Sequence, residues 1–201
     1  LLCRTQNGFD VNSVESYRKN IRSVIDTGKM YDDYISGALK DGRGNICPVT
    51  IILPTIAMEA KESISNKAKL SNSNEEEYDL VEEFMEKLDH KIYEAKDMLI
   101  ERYKWICSQS ADSATFMYEN HTMYGYVPEE GIESALKHGT LALGQLGVAE
   151  TLQILIDCDQ TSDEGFALAE RIEELFERRC NEFKEETSLN FGVYLTPEHN
   201  G

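Results

Sequence analysis

The sequence predicts an α/β fold built on a predominantly parallel sheet. Two observations carry this expectation: three short apolar runs, at 46–53, 140–145 and 190–195, and the long amphipathic stretches between them. Runs of that length, bounded by turn residues, are too short for buried helices, and strands separated by helical stretches return parallel. A third observation is the composition, 41% hydrophobic with four Pro in 201 residues. That is a globular composition and excludes collagen-like, low-complexity or disordered structure.

Taken in order, Val14, Tyr17, Ile21, Val24 and Ile25 predict a short amphipathic helix, and DGRGN at 41–45 a turn. ICPVTIIL at 46–53 is apolar almost throughout and rich in β-branched residues, which predicts a central strand with helices on both faces. Pro54 ends that strand and opens a helix over TIAMEAKESI, because its fixed φ and missing donor are tolerated in a first turn. SNSNEEE at 71–77 is a polar lead-in whose acidic residues suit a helix N-terminus. The following helix runs to about residue 108. Val81, Met85, Leu88, Ile92, Ala95, Leu99 and Ile106 recur at spacings of three and four and define its packed face, with Trp105 beside its end assigned to core or interface. Glu83, Lys87 and Lys91 mix favourable and unfavourable neighbours, as a solvated face does.

From 109 to 128 the periodicity breaks, yet Phe116, Met117, Tyr118, Met123, Tyr124 and Tyr126 are too apolar for a solvated linker and predict a segment packed across the domain. PEEGIESALKH is a short helix with Gly139 as its C-cap, and TLALGQLG a second strand. Gly144 and Gly147 each allow close backbone approach, either for helix–sheet packing or for backbone ligation of an anion. VAETLQILI is a helix. Ser162 caps another over 163–186, with Phe166, Ala169, Ile172, Phe176, Cys180 and Phe183 on one face. LNFGVYL then forms a third strand, ended by TPEHNG.

The formal charge of −17, from 20 Lys+Arg against 37 Asp+Glu, repels a phosphate backbone, so a DNA or RNA duplex is not an expected partner. Small phosphorylated ligands remain compatible, since backbone N–H groups hold them without net positive charge. No apolar run reaches membrane-spanning length, and LLCRTQNG lacks the basic and apolar regions of a signal peptide. Five widely spaced cysteines, Cys3, Cys47, Cys107, Cys158 and Cys180, favour reduced thiols and a cytoplasmic setting. No Cys-x-x-Cys, His-Glu-x-x-His or dense Cys/His cluster occurs, so no metal site is expected within these residues. The chain starts with Leu rather than Met and reads as an internal piece of a longer protein.

Several residues have chemical potential. Cys3 precedes Arg4, whose charge lowers a thiol pKa; a structural thiol is the alternative. His138 stands at a helix end, where a cap is the simplest role, and Glu150 falls in a first helical turn that favours a carboxylate. Thr196-Pro197-Glu198 follows a strand, where α/β proteins place ligands. GRGN lacks the Lys-Ser/Thr ending of a phosphate-binding loop.

Cys3-Arg4-Thr5, GRGNICPVTIILPTIAMEA, LIERYKWIC, KHGTLALGQLGVAETL and LNFGVYLTPE, in this order, resemble the anaerobic, glycyl-radical ribonucleoside-triphosphate reductases over essentially the whole chain. KHGTLALGQLGVAETL is the most specific of these strings. The resemblance implies that residues 1–201 are a single partial catalytic domain, part of a ten-stranded α/β barrel, with Cys3 at the tip of a finger loop. A glycyl radical in a C-terminal region outside this chain would oxidise Cys3 to a thiyl radical, which abstracts the 3′ hydrogen of a ribonucleoside triphosphate. Gly139, Thr140, Gly147, Thr196 and Pro197 would line the substrate side. The resemblance further implies a radical-generating activase using S-adenosylmethionine and an iron–sulfur cluster, and formate or a protein dithiol as reductant. Zinc and allosteric ATP/dNTP sites would lie outside this chain, and the full-length protein would be a homodimer. The fragment alone would be inactive. Family members commonly carry Asn-Leu-Pro-Arg where this chain has Ile52-Leu53-Pro54-Thr55, and a TPAEN-like ending where it has Thr196-Pro197-Glu198-His199.

Two rival readings make different structural demands. A noncatalytic α/β structural module leaves Cys3 buried and idle, with no concavity where strands 46–53 and 190–195 end. A nucleotide-binding module without catalysis binds ligand but has no water-poor cysteine pocket. The enzyme reading requires those strand ends to converge below Cys3.

Overall fold

The computed structural model describes residue 12 and residues 44–70, 79–120, 123 and 125–195, and within them three strands form one sheet of order β1-β2-β3. β1 spans Asn45–Ile52, β2 Thr140–Leu146 and β3 Asn190–Leu195, and both pairings are parallel. The helices are α1 (Leu53–Leu70), α2 (Leu80–Cys107), the short α3 (Thr115–Glu119) and α4 (Glu133–Leu136), α5 (Val148–Ile156) and α6 (Asp163–Thr187). The expected parallel sheet with helices packed on its outside is present. Three strands establish the α/β class; the ten-stranded barrel stays an implication of the resemblance. The expected helix at 14–25 and the lead-in at 71–77 lie outside the described residues.

Two features of the sheet differ from expectation. β2, not β1, is central among the described strands. It is hydrogen-bonded on both sides and buried from Thr140 to Gln145, whereas Thr50 and Ile52 of β1 are exposed. The register of β1 slips between Ile46 and Val49, over Cys47 and Pro48. Pro48 has no N–H for a continuous ladder, and a bulge is where a strand tolerates it. The apolar run therefore reflects a bulge and one buried face rather than two. The second difference concerns the helices. Ile46, Val49, Ile51, Leu141, Leu143, Phe191 and Val193 all belong to one core shared with the helices. Alternation along the strands puts Thr50, Ile52, Ala142, Gly144, Gly192 and Tyr194 on the opposite face, and none of them joins that core.

α2 begins where Asp79 accepts hydrogen bonds from the Val81 and Glu82 backbone N–H groups at 2.9 and 3.3 Å, with Glu82 and Glu83 complementing the helix dipole. Its fully buried stripe is Phe84, Leu88, Ile92, Ala95, Leu99 and Tyr103; Val81, Met85 and Ile106 flank it. Trp105, expected in the core or an interface, is 66% exposed. Two residues past Tyr103 is a rotation of about 200° around the helix, which carries the indole to the far side. Glu83 is not a solvated bystander either: Lys67 of α1 at 2.6 Å and Ser63 at 2.7 Å hold its carboxyl below the ordinary carboxylate range. Arg179 of α6 grips both Asp89 oxygens at 2.6 Å, a two-pronged pairing that fixes α6 against α2.

α6 starts where Ser162 accepts from Gly165 N–H at 3.0 Å, and buries Leu168, Ile172, Leu175, Phe176, Cys180 and Phe183. Phe166, expected on that face, is 62% exposed. Gly165 occupies the inward position instead, because a Cβ there would sit 1.9 Å from the Asp159 carbonyl oxygen. Of the residues expected to pack in the 109–128 segment, Tyr118 joins the core with Met123 and Tyr126 against it, the Tyr118 and Tyr126 rings 4.8 Å apart, whereas Phe116 and Met117 are exposed and Tyr124 lies outside the described residues. No helix among the described residues is long and apolar enough to cross a membrane.

Beneath the carboxyl end of β2 is a buried polar pair. Gln145 is 1% exposed and donates from Nε2 to Glu173 of α6, and its Oε1 has no hydrogen-bond partner. Burial pushes the Glu173 carboxyl above its ordinary value; the Gln145 hydrogen bond opposes this and Glu177 adds to it.

The core assignment predicts that Phe176→Ala costs about 3–5 kcal/mol by the loss of a buried ring, whereas Phe166→Ala changes stability by no more than about 0.5 kcal/mol. Denaturant unfolding of both variants checks the contrast. Glu173 has a raised folded pKa, so the stability it contributes is complete below the unfolded value and is lost as pH rises through the folded one. Glu173→Gln removes that loss and offers a donor to Gln145 Oε1. Its stability advantage over wild type should grow as pH is raised from 4.5 to 7 in parallel melts, and a pH-independent difference would contradict the assignment.

Candidate functional site at the carboxyl edge of the sheet

Parallel pairing sends all three strand ends to one edge: Ile52 stands opposite Leu146, and Gln145 opposite Leu195. This is the side on which open and closed parallel sheets carry their ligand sites, because the loops that follow the strands start there. The strands at 46–53 and 190–195 therefore end at one edge; Cys3, below which the enzyme reading has them converge, lies outside the described residues.

Two strand-to-helix junctions meet at this edge. Gly147 has φ +83°, and a Cβ on it would lie 2.5 Å from Pro54 Cγ in the first turn of α1. Its carbonyl accepts from the Thr151 N–H at 3.0 Å and the Thr151 hydroxyl at 2.7 Å, which closes the first turn of α5. The helix–sheet packing expected of Gly147 is present. The carboxylate of Glu150 belongs to the same first turn, as expected, and complements the helix dipole there.

On the face away from the helices, Thr50, Gly144 and Tyr194 stand in one row across the three strands. The Thr50 hydroxyl and the Tyr194 hydroxyl are 2.7 Å apart, spanning the central strand. A Cβ on Gly144 would fall 2.7 Å from the Tyr194 ring and 2.8 Å from Thr50 Oγ1. The glycine thus lets the phenol ring lie down on the sheet. Ile52, in place of the Asn common in the resembled family, shares this face and is 54% exposed.

The residues singled out from sequence do not gather at one place. Gly139 and Thr140 are at the amino edge, separated from Gly147 by the seven residues of β2, which is about 20 Å of strand. A Cβ on Gly139 would meet Ile46 Cδ1 at 2.4 Å, so this glycine serves packing beside β1. It also stands beyond the end of α4, whose cap is Lys137. Asn190 donates to the Lys137 and His138 carbonyls, and Asn12 to the Lys137 and Ser188 carbonyls, so this edge is a network of structural hydrogen bonds. Cys3, Thr196 and Pro197 lie outside the described residues. Cys107, Cys158 and Cys180 are free thiols. Burial raises Cys107 and pushes Cys180 up to about 12, which keeps both as thiols. No cluster of three or more His, Cys, Asp or Glu among the described residues is arranged to hold a metal ion. Thr50 and Tyr194 escaped notice in the sequence, because the register that brings them together across Gly144 is set by strand pairing.

The Gly147 geometry predicts that Gly147→Ala destabilises the chain by about 1–3 kcal/mol, from left-handed backbone strain alone, with the Pro54 clash added. Thermal unfolding of Gly147→Ala beside Gly44→Ala, where an added Cβ meets nothing within 4 Å, checks it.

The relatives of this chain fit this architecture. A curated anaerobic ribonucleoside-triphosphate reductase of Haemophilus influenzae is 28% identical over 171 residues, which is 81% of this chain and 21% of that protein. The Escherichia coli K12 protein of the same name is 26% identical over the same shares. The chain thus spans about a fifth of the length of the curated relatives it matches. Among solved structures, the anaerobic ribonucleotide reductase of Thermotoga maritima with citrate in the active site superposes with a TM-score of 0.57 at 18% identity, over 79% of this chain and 25% of that one, a likeness of fold. The model of the anaerobic ribonucleoside-triphosphate reductase family matches residues 2–200, and the chain belongs to that family.

Proposed function

We propose that these residues form part of the catalytic domain of an enzyme that reduces ribonucleoside triphosphates to deoxyribonucleoside triphosphates, with Cys3 as its thiyl-radical residue. The observation that carries this reading is the family match across residues 2–200, and the convergence of three parallel strands on one carboxyl edge supports it. Relatives in this family have been solved with dATP in a specificity site and with dATP and CTP together, which supports a nucleotide substrate and nucleotide effectors here.

In this reading the sheet's face away from the helices looks toward the substrate, and Cys3 is carried to it by its loop. The Cys3 sulfur radical takes the 3′ hydrogen of the ribose, the 2′ hydroxyl leaves as water, and two electrons come from formate or a protein dithiol. A glycyl radical, generated by an S-adenosylmethionine/iron–sulfur activase, supplies the oxidising equivalent for Cys3. That radical, the zinc and the ATP/dNTP effector sites belong to other parts of the polypeptide, which works as a cytoplasmic homodimer. The chain's own contribution is structural as well as chemical. Its helices seal the outside of the sheet, and on the other face the small residue Gly144 lets the Tyr194 ring lie against the strand.

The reading is tested by Cys3→Ser in the reductase polypeptide that contains this chain, activated anaerobically and given ribonucleoside triphosphates with formate or dithiol. Product formation should disappear while the glycyl radical signal and substrate binding persist, the pattern of a residue acting in the chemical step. Near-normal turnover by the variant would overturn it.

A further inference from the structure

We propose that Thr50 is a positioning residue: it fixes the Tyr194 hydroxyl over Gly144, so that the pair forms a neutral hydrogen-bonding subsite for the hydroxyl groups of the substrate ribose. The inference rests on the reductase reading and adds to it a specificity determinant on the sheet. Three observations carry it. The two hydroxyls are 2.7 Å apart although their strands are not neighbours. Gly144 between them lacks the Cβ that would lift the ring and part the pair. Thr50 is exposed and Tyr194 half-buried, so the pair is reachable from the face away from the helices.

The chemistry of the pair selects the ligand group. One hydroxyl donates to the other, and the acceptor's own hydrogen stays available to a third partner, while both oxygens keep lone pairs. Such a pair both donates and accepts, which matches a neutral diol. A triphosphate needs donors and cations. The residues of this face in register, from Asn45, Thr140 and Asn190 to Ile52 and Leu146, include no charged side chain. The subsite therefore fits the sugar and leaves the phosphates to another part of the site. Thr50 acts through Tyr194, since without its hydroxyl the phenol loses the partner that fixes its O–H direction.

The test uses the reductase polypeptide containing this chain, without radical activation and with dATP saturating so that effector sites are filled. CTP and 2′,3′-dideoxy-CTP are the probes in equilibrium binding. Thr50→Val should weaken CTP about threefold to tenfold, the worth of one net hydrogen bond, and leave 2′,3′-dideoxy-CTP, which has neither hydroxyl, within twofold. Thr50→Ser should bind CTP as wild type does. Tyr194→Phe should reproduce the Thr50→Val effect, and the double variant should be no weaker than Tyr194→Phe alone, because both changes break one unit. Wild-type affinity for CTP in Thr50→Val, equal weakening of both nucleotides, or additive losses in the double variant would each overturn the proposal while leaving the reductase reading standing. Failure of the wild-type protein to bind CTP would overturn both. Thermal melting of each variant accompanies the titrations, and Thr50→Ser reports on the hydroxyl if Thr50→Val does not fold.

Discussion

The packing of β2 between two parallel neighbours is the constraint on which the rest of the molecule depends. A strand paired on both edges has no free backbone groups to trade, so what remains adjustable is its two faces. On one, Leu141 and Leu143 sink into the core made by α1, α2, α5 and α6. On the other, Ala142 and Gly144 are small. A parallel neighbour on each side also demands long crossovers. The helices between β1 and β2, and between β2 and β3, are those crossovers, and their apolar stripes fill the helix side of the sheet.

From that constraint the geometry of the site follows. Parallel strands end together, and helices that begin at once after them crowd their first turns into one edge. Leu53 starts α1 directly after β1, and only Gly147 stands between β2 and α5. The price of such short junctions is a left-handed residue, met by Gly147, and a close contact with Pro54. Ion pairs then hold the helices in place beneath the edge. The Arg179–Asp89 pairing and the Lys67–Glu83 pair each join two helices, where residues distant in sequence must keep register.

Much of this was legible in the sequence, and the failures are instructive. The run VAETLQILI and the Ser162 cap gave α5 and the start of α6 to the residue, because capping chemistry and periodicity agree there. Phe166 was misplaced because apolar identity was allowed to override angular position, and it lies outside the stripe set by its neighbours; Trp105 is likewise outside the core, one of its two expected settings. Among the described strands β2 rather than β1 is doubly paired, which hydrophobicity alone does not report. Gly139 and Gly147 belong to one continuous motif, yet a strand runs between them, so sequence proximity concealed their placement at opposite edges. The Thr50–Tyr194 contact joins residues 144 positions apart, and no local pattern announces it.

The chain belongs to the anaerobic ribonucleoside-triphosphate reductase family, and the function we propose for it places the reductase chemistry on this sheet. The account stands on one spatial claim: substrate meets the face of β1, β2 and β3 that the helices leave, near their carboxyl ends. A crystal structure of the reductase polypeptide with a ribonucleoside triphosphate bound tests it most directly. The account predicts the ribose over Gly144, within hydrogen-bond reach of the Thr50–Tyr194 pair. A nucleotide sugar seated instead among α1, α2 and α6, or at the amino edge beside Gly139 and Asn190, would contradict it.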